Sequence, residues 1–140
     1  MLHIAIVEDE QAYVKHLTEY IDQFRQEFSQ EIKVTVFSDG HEILENYTAS
    51  YDIILMDIQM RFIDGMTAAE KIRELDQDVV IMFITNMTSY AVKGYEVDAL
   101  DYIVKPVEYF SFSQKLLRAV ERVKRREESY IMVPVENGIQ

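Results

Sequence analysis

Val79 to Ile84 is a run of six apolar residues with no polar interruption. A run this short and unbroken fits a strand buried on both faces, as in the middle of a parallel sheet. The flanking sequence supplies the rest of such a sheet. Residues 2–7, 52–57 and 101–104 are further apolar strands. Residues 32–37 alternate weakly and are rich in β-branched side chains, which suits a strand nearer the edge. Helical patterns fall between them. Val14, Leu17, Ile21, Phe24 and Phe28 recur at 3,4,3,4 spacing. Ser38 or Asp39 caps a short helix carrying Ile43, Leu44 and Tyr47. After the Asp64-Gly65 turn, Ala68, Ala69, Ile72 and Leu75 face inward. A short helix is expected over 88–95, and a last one carries Tyr109, Phe112, Leu116, Val120 and Val123 on one stripe. Five strands alternating with five helices require a parallel sheet with helices on both faces, and right-handed crossovers make it doubly wound.

In such a sheet the ligand site lies outside the carboxyl ends of the strands. Those ends carry Glu8-Asp9, Asp57, Thr85 and Lys105-Pro106. Three carboxylates brought together raise one another's pKa and destabilise the fold. A hard divalent cation relieves this, and Mg²⁺ binds through one or two carboxylates plus waters and a phosphate. There is no cysteine, and His3, His16 and His41 are scattered without ligand spacing, so zinc is disfavoured. An aspartate beside Mg²⁺ is a nucleophile for phosphorus. Lys105 then covers one phosphoryl oxygen as a point charge, and the Thr85 hydroxyl donates to another. Lys105-Pro106 is a cis candidate. The plainer alternatives are that Glu8-Asp9 caps the first helix and that Asp57 is an ordinary strand-end carboxylate.

The net charge of −11 argues against a direct grip on nucleic acid. No basic leader with an apolar stretch opens the chain, and no apolar run approaches a membrane span of about 20 residues. A cytoplasmic location without membrane contact is the expectation. Residues 122–128 are charged; Arg122, Lys124, Arg125 and Arg126 suit a helix C-terminus or a contact with Glu96, Asp98 or Asp101. Beyond them, Tyr130 to Gly138 has the pattern of a new strand followed by a turn.

Glu8-Asp9, Asp57, Thr85, Tyr102 and Lys105-Pro106, in this order and spacing, resemble the receiver domain of bacterial two-component response regulators over about residues 2–126. The resemblance implies a flavodoxin-like sheet of order 2-1-3-4-5. It implies a phosphoacceptor at Asp57, served by a sensor histidine kinase, with Thr85 and Lys105 assisting. Mg²⁺ would be held by Asp9, Asp57 and the backbone carbonyl of Gln59, with Glu8 acting through water. Thr85 and Tyr102 would be the switch pair. The only chemistry implied is self-phosphorylation from a phosphodonor and autodephosphorylation. The stretch Tyr90 to Pro106 resembles receivers joined to a LytTR-type DNA-binding domain. On that basis residues 1–126 are the receiver, and 127–140 are a linker and the first strand of a DNA-binding domain that is otherwise missing. DNA is reached only through that domain, and phosphorylation-linked self-association is expected on the 88–126 face, with Tyr90, Tyr95 and Tyr109 as its aromatic candidates. Arg61 stands where the family usually has proline, Asn86 where alanine is common, and Gln59 and Met87 where access of water is tuned. Two competing readings remain. A phosphatase would need a second acid at Gln59, and a constitutive interaction module would work without phosphorylation.

Overall fold

A computed structural model describes residues 1–86 and 97–139 of the chain, with the side chains of 129–139 left aside. The helix expected over 88–95, with Met87, Tyr90, Tyr95 and Glu96, lies outside the described residues. The elements are β1 (Leu2–Val7), α1 (Gln11–Phe28), β2 (Ile32–Phe37), α2 (Gly40–Glu45), β3 (Ile53–Asp57), α3 (Gly65–Leu75), β4 (Val80–Thr85), β5 (Asp101–Val104) and α4 (Tyr109–Ile139). All strand pairings are parallel, in the order β2-β1-β3-β4-β5. This is the flavodoxin-like, doubly wound sheet, with β2 at one edge as its weak alternation suggested.

Period-2 alternation divides the core in two. Ile4, Ile6, Leu55, Met82 and Ile84 face α1 and α4, meeting Leu17, Phe24, Phe112 and Leu116. Ala5, Val7, Ile54, Met56 and Phe83 face α2 and α3, meeting Ile43, Ala69 and Ile72. β3 and β4 are buried at every position, because both faces are covered. Asp39 caps α2 and Asp64 caps α3, each accepting from a backbone N–H three residues on at 2.8 Å. Among the described residues no helix is long and apolar enough to cross a membrane.

Three expectations are corrected. Leu75, placed inward by its spacing, is 63% exposed; it is the last residue of α3, where the helix has run past the sheet. The strand expected over Tyr130–Gly138 is instead the continuation of α4 to Ile139. A helix satisfies its own backbone N–H and C=O groups, so this segment is hydrogen-bonded without pairing to a neighbouring strand. Arg122, Lys124, Arg125 and Arg126 therefore sit within α4 and not at its end. Asp101 instead pairs with Lys115 at 3.5 Å and Arg118 at 2.9 Å.

Candidate functional site

Four chain segments end at the carboxyl edge of the sheet, and their last residues meet there. Glu8 follows β1 and is 1% exposed; Asp57 ends β3 and is 4% exposed. Glu8, Asp9 and Asp57 each offer a carboxylate oxygen, and these lie within 4.8 Å of one another. α1 takes no side-chain cap, so the acidic pair is not spent on the helix. The Glu8 carboxylate does accept from the Glu10 backbone N–H at 3.3 Å.

Lys105 supplies the opposing charge. Its backbone N–H donates to the Thr85 carbonyl at 2.9 Å, which ties the segment after β5 to the end of β4. The Lys105-Pro106 bond is cis, as the sequence suggested. The ammonium donates to Glu8 at 3.0 Å and lies 3.7 Å from Asp57. Three carboxylates thus face one ammonium. Burial, then a hydrogen bond with the Glu8 carboxyl and the Glu8 charge, push Asp57 up to about 7, against the pull of Lys105. Burial works against the Lys105 charge, but Glu8 and Asp57 outweigh it and raise its pKa. The oxygen-only donor set and its surplus negative charge fit a hard divalent cation.

Thr85 ends β4 at the same edge, and Tyr102 lies on the neighbouring β5. Tyr102 packs with Phe83 against the α2 and α3 core, and strand alternation puts Thr85 on the same side as Phe83. Thr85 is buried at the end of β4, beside Val104 in the sheet. The half-buried Tyr102 ring lies against Phe83 with centroids 5.4 Å apart. The expected switch pair therefore shares one face, one strand away from each other. Gln59 and Asn86 line a cleft of about 280 Å³ together with Asp57 and Lys105. Arg61 and Phe62 rim an adjoining cleft with Asp9.

Two residues of the site escaped sequence reasoning. A Cβ on Gly65 would lie 2.0 Å from the Asp57 carbonyl oxygen, so only glycine lets α3 start against the end of β3. The Asp64-Gly65 dipeptide was the signal, read there only as a turn. Tyr13 lies in the first turn of α1, and its ring centroid is 3.9 Å from the Lys105 ammonium. Tyr109 was expected to be an exposed surface aromatic. It is half-buried: its hydroxyl donates to Glu27 and one side of its ring packs on Tyr20. Its neighbour Phe110 is exposed, at 74%.

Comparison with known proteins agrees with this geometry. The model of the response regulator receiver domain matches residues 4–121. The sensory transduction protein LytR of Staphylococcus saprophyticus is 31% identical over 121 residues, spanning 86% of this chain and 45% of the relative. The sensory transduction protein LytT of Oceanobacillus iheyensis is 31% identical over 130 residues, 89% of this chain and 51% of the relative. The chain spans about half the length of these curated relatives. Among solved structures, the response regulatory domain of mrkE from Klebsiella pneumoniae is 26% identical with a TM-score of 0.78, covering 89% of this chain and 99% of that one. With most of its length matched and relatives of the LytR/LytT kind, the chain belongs to the response regulator receiver domain family.

Proposed function

We propose that this receiver accepts a phosphoryl group on Asp57 from a sensor histidine kinase and thereby switches an attached DNA-binding output domain of the LytTR type. One observation carries the reading: a buried aspartate shares its surroundings with two more carboxylates and one ammonium, all at the carboxyl edge of the sheet. In the transfer, an Asp57 carboxylate oxygen forms a bond to phosphorus as the bond from phosphorus to the donor imidazole nitrogen breaks. The electron pair leaves with the imidazole. Lys105 holds one equatorial oxygen by charge, and the Thr85 hydroxyl donates to a second. Asp9, Asp57 and the Gln59 backbone carbonyl would hold Mg²⁺, with Glu8 acting through water. When bound, the ion supplies charge stabilisation for the phosphoryl oxygens and favours ionised Asp57.

Phosphorylation would then favour one of two states, with Thr85 moving to the phosphoryl group and Tyr102 turning inward. Self-association through the 88–126 face would be the output step. Phosphoryl uptake and self-dephosphorylation would be the only chemistry, in the cytoplasm. The boundary near residue 126 and a DNA-binding domain beyond it belong to the same proposal. The relatives' names as sensory transduction proteins support it.

Intact mass after incubation with acetyl phosphate and Mg²⁺ tests the reading. One added phosphoryl group is expected, absent in Asp57→Asn and without Mg²⁺. No adduct at any time after mixing would favour a module that works unphosphorylated.

A further inference from the structure

Lys105 sits at the end of a flexible four-carbon stem, and a point charge on such a stem positions a phosphoryl oxygen only if something restrains it. Glu8 holds it from one side at 3.0 Å. The other restraint comes from α1. The Tyr13 ring centroid lies 3.9 Å from the ammonium, within the range of a cation–π contact. Tyr13 also lines the cleft that contains Asp57.

The segment carrying Lys105 is itself held on α1. His16 Nε2 lies 3.2 Å from the Val107 carbonyl, and Tyr20 donates its hydroxyl to the same oxygen at 3.0 Å. A carbonyl only accepts, so Nε2 carries the hydrogen. Tyr13, His16 and Tyr20 follow one another at helical spacing, with ring centroids 6.2 Å and 4.3 Å apart. Two of these rings fix the backbone just after Lys105, and the third meets its charge.

We infer that Tyr13 is a positioning residue for phosphoryl uptake, using its ring face to hold the Lys105 ammonium between Glu8 and Asp57. The inference rests on the phosphoacceptor reading of the site and assigns α1 a part in it. The ring face is what matters, and the hydroxyl is dispensable. Tyr13→Phe therefore keeps the function, while Tyr13→Leu keeps apolar bulk and loses it.

The test has two arms. In the first, proton–carbon NMR of the protein without phosphodonor follows the Lys105 ε-methylene. Its protons are expected upfield of ordinary lysines in wild type and Tyr13→Phe, and at the ordinary position in Tyr13→Leu. In the second, phosphoryl uptake from acetyl phosphate with Mg²⁺ is timed by intact mass, with thermal melts to confirm that each variant is folded. Tyr13→Leu is expected to slow uptake about three- to tenfold, in keeping with the strength of such contacts, with Tyr13→Phe near wild type. Adding Tyr13→Leu to Lys105→Met should slow uptake no further than Lys105→Met alone. An ordinary lysine signal in wild type would overturn the inference. So would a further slowing of Lys105→Met by the added Tyr13→Leu, or unchanged uptake in Tyr13→Leu. If wild type takes up no phosphoryl group, the phosphoacceptor reading fails, and the lysine signal alone decides whether Tyr13 holds Lys105.

Discussion

Both ends of the sheet gather aspartates, but they treat them differently. At the amino end, Asp52 accepts from the His3 backbone N–H at 2.8 Å. Asp76 accepts from the N–H groups of Asp78 and Val79 and, at 2.7 Å, from the Tyr47 hydroxyl. Arg73 closes this end by donating to the carbonyls of Val97, Asp98, Asp76 and Gln77. Burial, with the Asp76 bond and charge, raises the Tyr47 pKa, so that hydroxyl stays protonated and donating. At the carboxyl end, Asp57 has two carboxylates and one ammonium as company. Acidic residues alone therefore do not mark the site. A shortage of donors does, because it leaves buried charge that a cation and a phosphoryl group can engage.

The largest effect expected from this contrast is on pH dependence. Asp57 is held up to about 7 against 3.8 for the free side chain. The folded state then binds this proton more tightly than the unfolded chain, so stability is lost as pH rises through that window. Melts without metal should show wild type losing roughly 3 kcal/mol relative to Asp57→Asn across it. Parallel curves would break the contrast.

Gly65→Ala comes next. Its new methyl meets the Asp57 carbonyl oxygen, and overpacking against main chain should cost about 3 kcal/mol in denaturant unfolding. A loss below about 1 kcal/mol would mean that α3 shifts freely away from β3. At the amino end, Asp76→Ala strands the Tyr47 hydroxyl and two backbone donors. It should cost about 2 kcal/mol yet leave phosphoryl uptake intact. Slowed uptake in that variant would show that the two ends are coupled. The smallest effect is that of the metal. At ten times its dissociation constant, Mg²⁺ should stabilise wild type by about 1.4 kcal/mol, and Asp9→Asn should lose most of that gain. An equal gain in Asp9→Asn would remove Asp9 from the ligand set.

Much of the carboxyl end was legible because strands announce themselves. Four apolar runs end in Glu8, Asp57, Thr85 and Lys105, and a parallel sheet brings such ends together. Contacts between non-neighbouring elements were not legible. Nothing in a period reveals that Gly65 touches the Asp57 carbonyl or that Tyr13 meets Lys105. The amino end was less visible still, since Asp52, Asp76 and Arg73 are bound mostly to backbone groups, which carry no residue identity. Tyr130–Gly138 misled for a related reason: β-branched residues are a context-dependent strand signal, and here the segment continues α4.

The most direct test of the donor shortage is calorimetry of Mg²⁺ binding in two buffers of different protonation heat. Near pH 6, where metal-free Asp57 is largely protonated, binding should release on the order of one proton. Near pH 9 the release should vanish, and Asp57→Asn should show none at either pH. Heats independent of the buffer near pH 6 would mean that Asp57 is already ionised and compensated, and would contradict the account.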